Sequence, residues 1–399
     1  MTAAATLTAR GRTRALLLLA SGAGISAMGS QVSWIGLTSK LQGVGVYAVS
    51  VLFIAATAGN VLGAPVAGML ADRYPNRRLL ITAMTVQGLL LLSLLLTFSP
   101  ALTWVTVALV GASGCVVGTT TAALVPHITG EDDSMRGYSW HGTAMTVGSL
   151  GGVVLGGVLA TTSGVQWALL IDGLTSLVQA ALMATIRADR VPRRDRESQT
   201  DERRAGLSHI LRDVRLGTRL LAQFFVVCAT TVAFLGEIFL ITDVMHATPF
   251  WYGLMVGCWG CGALLGSTQA RRLRGDRLRA VAYVAGVAGL TVALLAPAAW
   301  PFLLANGLGW LVGGACRSLS NVLTNVFVQA HTPDEYRGRV FAAADSVTVA
   351  ANLVGTAAGG ALVAGIGPRG SLVAAAAACA VAALVAAAAH VLLHRDGGT

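Results

Sequence analysis

Charge in this sequence is confined to short turns between long apolar runs, and the stretch Gly68–Leu80, GMLADRYPNRRLL, shows the pattern at its most concentrated. A basic turn squeezed between two apolar runs has little use in a soluble domain. A chain that crosses a bilayer repeatedly, by contrast, must leave its charge outside the hydrocarbon. Only 12% of the 399 residues are charged and 55% are hydrophobic, with mean hydropathy +0.70, where a soluble domain carries about 25% charged residues. The apolar runs are roughly 20 residues long, enough to cross a hydrocarbon core of about 30 Å as helices. They place spans at 15–38, 46–70, 79–98, 101–125, 139–162, 167–187, 218–241, 252–270, 280–297, 301–326, 340–364 and 371–393. The expectation is an all-α membrane protein of about twelve transmembrane helices.

The formal net charge of +10 reflects topology rather than a nucleic-acid partner. Of the 28 Lys and Arg, all fall on the amino-terminal side of the alternating spans except Lys40 and Arg369, on the other side, and Arg317, inside a span. Cytoplasmic loops accumulate Lys and Arg, so both termini and the long middle loop are expected in the cytoplasm, against anionic lipid. Trp34, Trp104, Trp167, Trp251 and Trp300 fall near the outer ends of spans, as an interfacial aromatic belt does. Arg10, Arg12 and Arg14 precede an apolar run that continues well past Leu19, which therefore reads as the first spanning helix rather than a leader. The implied location is the cell membrane.

Residues 188–217 are charged, mixed in sign and poor in apolar side chains, so they form a cytoplasmic linker, with a short amphipathic helix near Leu207–Leu216. Six spans lie on each side, giving bundles at 1–187 and 218–399. The halves echo each other: Pro126 and Arg136-Gly137 precede the glycine-rich fifth span, as Pro333 and Arg337-Gly338 precede the glycine-rich eleventh. The basic loop after the second span (Arg73, Arg77, Arg78) is matched after the eighth by Arg271, Arg272, Arg274, Arg277 and Arg279. A six-plus-six repeat is the build of a transporter whose halves rock around a site near the midplane.

These residues resemble a family. GMLADRYPNRRLL is similar to the motif between helices 2 and 3 of the major facilitator superfamily, G-x-L-A-D-R-x-x-x-R-R, matched by Gly68, Leu70, Asp72, Arg73, Arg77 and Arg78. Pro75 and Asn76 stand where glycine and arginine are more usual. LLIDGLTSLVQAAL, with Asp172 in the sixth span, resembles a pattern of the macrolide-efflux and enterobactin-exporter type of carriers. NVFVQAHTPDEYRGRVFA, which carries Arg337, Gly338 and Arg339, resembles the stretch after helix 10 in that group. The resemblance implies the major facilitator fold, two pseudo-symmetric six-helix bundles, and efflux in exchange for protons.

The motif has its own physics. Asp72 is an anion at a helix boundary, able to pair with an arginine or face the positive end of a helix. Arg77 and Arg78 can hold carboxylates or lipid phosphates in bidentate fashion. Such a loop can latch one conformation and release in another; the plainer alternative is that its charges only set topology. The matching position in the second half is Ala270, so the latch is expected on one side only. GSLGGVVLGG in helix 5, with Gly148, Gly152, Gly156 and Gly157, allows close backbone approach and resembles the antiporter motif of the family, with Val153 where that motif has proline. Gly355, Gly359 and Gly360 give helix 11 the same character.

Ionisable residues within spans mark function because each is costly in hydrocarbon without water or a partner. Glu237, in the outer half of helix 7 with Asp243 near its end, is the first candidate to couple a proton; its alternative is an interfacial residue open to outside water. Asp172 is a second candidate, better explained by structural pairing. Arg317 would meet an anionic substrate group or neutralise a carboxylate. Gln31, Asn60, Trp259, Trp310 and Asn321 are candidate cavity residues, each of which ordinary packing would also explain. Two aromatic rings beside a buried arginine suit a bulky amphipathic ligand.

Enzymatic readings find no support. Lys40 is the only lysine, so no P-loop GK[ST] exists. Cys258-x-x-Cys261 has metal or redox spacing but sits in an apolar helix without nearby histidines. No cofactor or metal is expected. The sequence thus reads as a secondary transporter, a monomer taking a small-molecule substrate and protons among membrane lipids. Proton-coupled efflux of a hydrophobic or amphipathic compound (a drug, antibiotic or siderophore) is the leading reading. An uptake carrier for a metabolite, or a lipid or lysolipid translocator, would share the layout.

Overall fold

The computed structural model of the protein describes residues 9–129, 134–162, 164–186, 213–270, 272–333 and 337–395, with no strand among them. Contacts divide the chain into two compact units, Met1–Asp195 and Arg196–Thr399. The first holds α1 (Ala9–Gln42), α2 (Val46–Ala71), α3 (Asn76–Ser93), α4 (Pro100–Thr129), α5 (Ser134–Thr162) and α6 (Val165–Thr185). The second begins with α7 (Val214–Phe239), continued by a π-helical turn at Leu240–Val244. It goes on through α8 (Pro249–Ala270), α9 (Asp276–Ala299) and α10 (Leu303–Ala330) to a helical stretch, Arg337–Arg395. That stretch breaks at Gly367, φ 75°, into α11 (337–366) and α12 (368–395). Only glycine adopts this left-handed backbone freely, and Pro368 directly after it suits the first position of a new helix.

Among the described residues, eight helices are long and apolar enough to cross a membrane by length and composition, the last of them, Ala343–Ala388, running through the Gly367 break. α3, α8 and α10 are not among them; α8 and α10 contribute side chains to the site described below.

Several boundaries differ from those expected. The α7 helix starts at Val214 rather than 218, because the Asp213 carboxylate accepts the backbone N–H groups of Arg215 (2.9 Å) and Leu216 (3.3 Å) and so caps it. The expected linker 188–217 therefore ends at Asp213; residues 188–212 lie outside the described residues, including most of the proposed amphipathic helix. Its last residues, Val214 to Leu216, belong to the first turn of α7. The α3 helix stops at Ser93 instead of 98, where Leu94, Leu95 and Leu96 turn to i→i−3 hydrogen bonds on Leu91, Leu92 and Ser93, and Pro100 opens α4. The α1 helix is longer at both ends than the apolar run that announced it, since its arginine-rich first turns need no burial to be helical.

Small residues set the packing. In the first unit α1 lies against α5 and α6, α2 against α4, and α3 against α4 and α6. A Cβ on Gly148 would meet the Gly24 carbonyl carbon at 2.7 Å, and one on Gly152 that of Met28 at 2.9 Å. A Cβ on Gly156 would meet Val32 Cα at 3.0 Å, and Gly157 is buried beside it. Backbone thus meets backbone along the α1–α5 seam. The second unit repeats the pairing: α7 meets α11 at Gly355, where a Cβ would lie 2.8 Å from Cys228 O, and α8 meets α10 at Gly266, 2.8 Å from the Ala315 carbonyl carbon. Tyr283 and Val287 of α9 share a buried core with Cys379 and Ala382 of α12. The recurrence of the same pairings is the structural counterpart of the sequence echo.

Candidate functional site

Glu237 is wholly buried in the last turn of α7, directly before the π-helical turn. Asn306 of α10, also wholly buried, donates its side-chain amide to Glu237 Oε1. Glu237 Oε2 and Asn306 Oδ1 have no hydrogen-bond partner among the described residues. Tyr252 of α8 and Trp310 of α10 border the same carboxylate and are themselves buried. A π-helical turn leaves the i→i+4 ladder out of register, a distortion often found where helices carry function.

One turn before Glu237, Phe234 joins two indoles in an edge-on aromatic cluster. Its ring centroid is 5.1 Å from Trp259 and 4.6 Å from Trp310, and the two indoles are 5.4 Å apart. Such T-shaped pairs use the positive ring edge against the negative face. Phe234 and Trp259 also line a cleft of about 330 Å³ shared with Arg317, Asn321 and Asn352. Gln223 donates to Asn321 Oδ1 (3.2 Å), and Thr231 donates to Asn352 Oδ1 (2.9 Å). No hydrogen bond or ion pair among the described residues holds the Arg317 guanidinium. Of the residues anticipated from sequence, the second unit therefore gathers Glu237, Trp259, Trp310, Arg317 and Asn321 around α7, α8 and α10. Asn306, Tyr252, Phe234 and Asn352 were not anticipated. Asn306 and Asn352 carried a signal, being amides within apolar helices; Tyr252 and Phe234 read as ordinary core. Cys258 and Cys261 are free thiols one turn apart on α8.

The first unit presents a different arrangement. Asp172 of α6 is buried and accepts hydrogen bonds from Ser30 (3.2 Å) and Ser33 of α1. Gly29 makes room for it, since a Cβ there would come within 2.9 Å of Asp172 Cα. Both carboxylate oxygens are thus engaged in joining two helices. Gln31 packs against Gly152 on the α1–α5 seam. Asn60 is exposed, donates to Ala56 O of its own helix (2.9 Å) and accepts from Cys115 of α4 at its backbone oxygen (3.1 Å).

The α2–α3 turn is compact. Gly68 O accepts the N–H of Asp72, which caps α2, and Pro75 starts α3. Asp72 and Arg78 are exposed, and Arg73 lies 5.9 Å from the Tyr74 ring centroid. Arg77 donates to the backbone oxygens of Met183 (3.3 Å), which also accepts the Ile186 N–H, and Ala184 at the end of α6. A guanidinium there faces the negative end of the helix dipole. No ion pair involving Asp72 occurs among the described residues; the single salt bridge there is Arg279–Asp276 at 3.5 Å. Arg337, Gly338 and Arg339 lie in the first turn of α11, with side chains outside the described residues.

Comparison with known proteins agrees with this architecture. The family model of the Major Facilitator Superfamily matches residues 18–310. The enterobactin exporter EntS of Salmonella typhi is 23% identical over 311 residues, 77% of this chain and 74% of its own. EntS of Citrobacter koseri is 25% identical over 322 residues, covering 77% and 73%. Among solved structures, the nucleoside transporter NupG superposes with a TM-score of 0.74 at 12% identity, covering 95% of this chain and 99% of its own. A bacterial homologue of the human lysosomal transporter Spinster gives 0.71 at 14%, covering 96% and 97%. The chain belongs to the major facilitator superfamily and is a multi-pass membrane transporter that moves a small molecule by secondary active transport.

Proposed function

We propose that the protein is a proton-coupled exporter of a hydrophobic or amphipathic small molecule, seated in the cell membrane as a monomer with both termini cytoplasmic. The observation that carries this reading is Glu237: a fully buried carboxylate with one oxygen held by Asn306 and the other without a hydrogen-bond partner among the described residues. An ionised carboxylate with an oxygen left without a donor is costly away from water. Protonation removes the charge and turns that oxygen into a donor. Gain and loss of the proton therefore go with access of water, which alternating exposure to the two sides provides. The cargo-facing wall would be the Phe234–Trp259–Arg317 cleft, whose volume of about 330 Å³ lies at the small end of ligand pockets. Its two rings and the Arg317 guanidinium suit an aromatic or amphipathic compound with an anionic group. Asp172 is assigned a structural role. Residues 1–187 and 218–399 act as the rocking bundles, and the Asp72 loop as a latch. The relatives' description as enterobactin exporters supports the outward direction.

The test uses inside-out vesicles with an acid interior and two probes, enterobactin and ethidium. Accumulation of at least one probe, abolished when nigericin collapses the pH gradient, is the expected result. Accumulation that is indifferent to the gradient overturns proton coupling.

A further inference from the structure

A second cavity of the Arg196–Thr399 unit, of about 300 Å³, is not used by the transport reading. It lies at the end of that unit where the arginines concentrate, framed by the start of α7, the start of α9 and the end of α10. Arg215, Arg219 and Arg279 line it, with Asp276 on the rim as the one opposing charge. Arg279 shares that charge through the 3.5 Å ion pair and also donates to Leu273 O. Arg219 is fixed in place: its guanidinium lies 3.2 Å from the Tyr283 ring centroid and 5.2 Å from that of Phe327, and its Nε donates to Thr324 Oγ1 (3.3 Å). Its terminal nitrogens make no hydrogen bond among the described residues. Stacking on an aromatic face orients a guanidinium without using its outer N–H groups, which leaves them for a phosphate.

Below the arginines the walls turn apolar, formed by Val284, Leu323 and Phe327. A soluble phosphate would need the cations and not these walls. A molecule with a phosphate at one end and hydrocarbon at the other matches both. We propose that this pocket is a headgroup site for an anionic phospholipid, the phosphate meeting Arg215, Arg219 and Arg279 and the upper acyl chain lying along Val284 and Phe327. Basic pockets between helices at the face where Lys and Arg collect are the kind of place where acidic lipids are held.

The experiment measures lipid binding to the full-length protein in detergent by native mass spectrometry, with phosphatidylglycerol and phosphatidylcholine of identical chains. Phosphatidylglycerol is expected to bind preferentially. Arg215→Gln and Arg279→Gln should each weaken it about fivefold without changing phosphatidylcholine binding. Both residues sit near the surface, unlike Arg219, which packs in the interior and whose loss threatens the fold. A competition on the unaltered protein needs no variant: millimolar inorganic phosphate should leave phosphatidylglycerol in place. Equal binding of the two lipids, or displacement by inorganic phosphate, overturns the proposal, the latter in favour of a soluble anion.

Discussion

Asn306 on α10 donates its side-chain amide to Oε1 of Glu237 on α7, while Oε2 of that carboxylate and the amide oxygen of Asn306 are both left without hydrogen-bond partners among the described residues. An amide donor serves the carboxyl group in either protonation state. The two orphaned oxygens are what makes the states differ, because only the protonated acid brings a donor of its own. Proton exchange at Glu237 is thereby tied to whether water can reach the α7–α8–α10 interior.

Removing that amide should expose the dependence. Asn306→Ala removes the amide that holds Oε1 and is expected to cost about 1–3 kcal/mol, seen as a lower thermal midpoint in detergent. In the Glu237→Gln background the same change should cost less, since no charge remains to be stranded. Additive losses in the double-mutant cycle would mean that the pair does not act as one unit.

Asp172 carries the opposite expectation. Both of its oxygens are already engaged by Ser30 and Ser33. Asp172→Asn keeps a hydrogen-bonding group between α1 and α6 and should retain gradient-driven transport, whereas Asp172→Ala should destabilise by about 1–3 kcal/mol through the stranded hydroxyls. A stable Asp172→Asn protein that no longer responds to the pH gradient would transfer the coupling role to this residue.

The α1–α5 seam offers a paired comparison. A Cβ at Gly148 would press on the Gly24 carbonyl, which is backbone and cannot rotate away, while a Cβ at Gly151 would meet nothing within 4 Å. Gly148→Ala should lose about 1–3 kcal/mol from overpacking and reduce the yield of monodisperse protein. Gly151→Ala should match the unaltered chain. Equal behaviour of the two variants would contradict the close contact.

Arg77 should act at a distance in sequence. Its bonds to Met183 and Ala184 close the end of α6, so Arg77→Ala is expected to cost up to about 2 kcal/mol. Amide hydrogen exchange should rise in the last turn of α6, an effect that Arg78→Ala, at an exposed position, should not reproduce.

The helices were legible in the sequence because hydrocarbon imposes a length and expels charge, and both leave marks at single-residue scale. What escaped were ends decided by local bonds. Capped by Asp213, α7 begins four residues before the apolar run becomes obvious, and Arg219 passes for a charge at the end of a span until Tyr283 is seen beneath it. Glu237, Trp259 and Arg317 stood out as charges or large rings within spans. Asn306 did not, since its meaning depends on a carboxylate 69 positions away. The basic turn Arg73–Arg78 announced arginines able to hold carboxylates or lipid phosphates, and the structure also puts Arg77 on the carbonyl oxygens of Met183 and Ala184, partners that no side-chain pattern encodes.

The most direct test compares unaltered protein and Glu237→Gln in the same proteoliposomes, first with an imposed pH gradient and then in equal-pH exchange of a transported probe. If Glu237 carries the proton, Glu237→Gln loses gradient-driven accumulation, down to the level without a gradient, while exchange persists. Accumulation by Glu237→Gln that still follows the gradient would contradict the assignment.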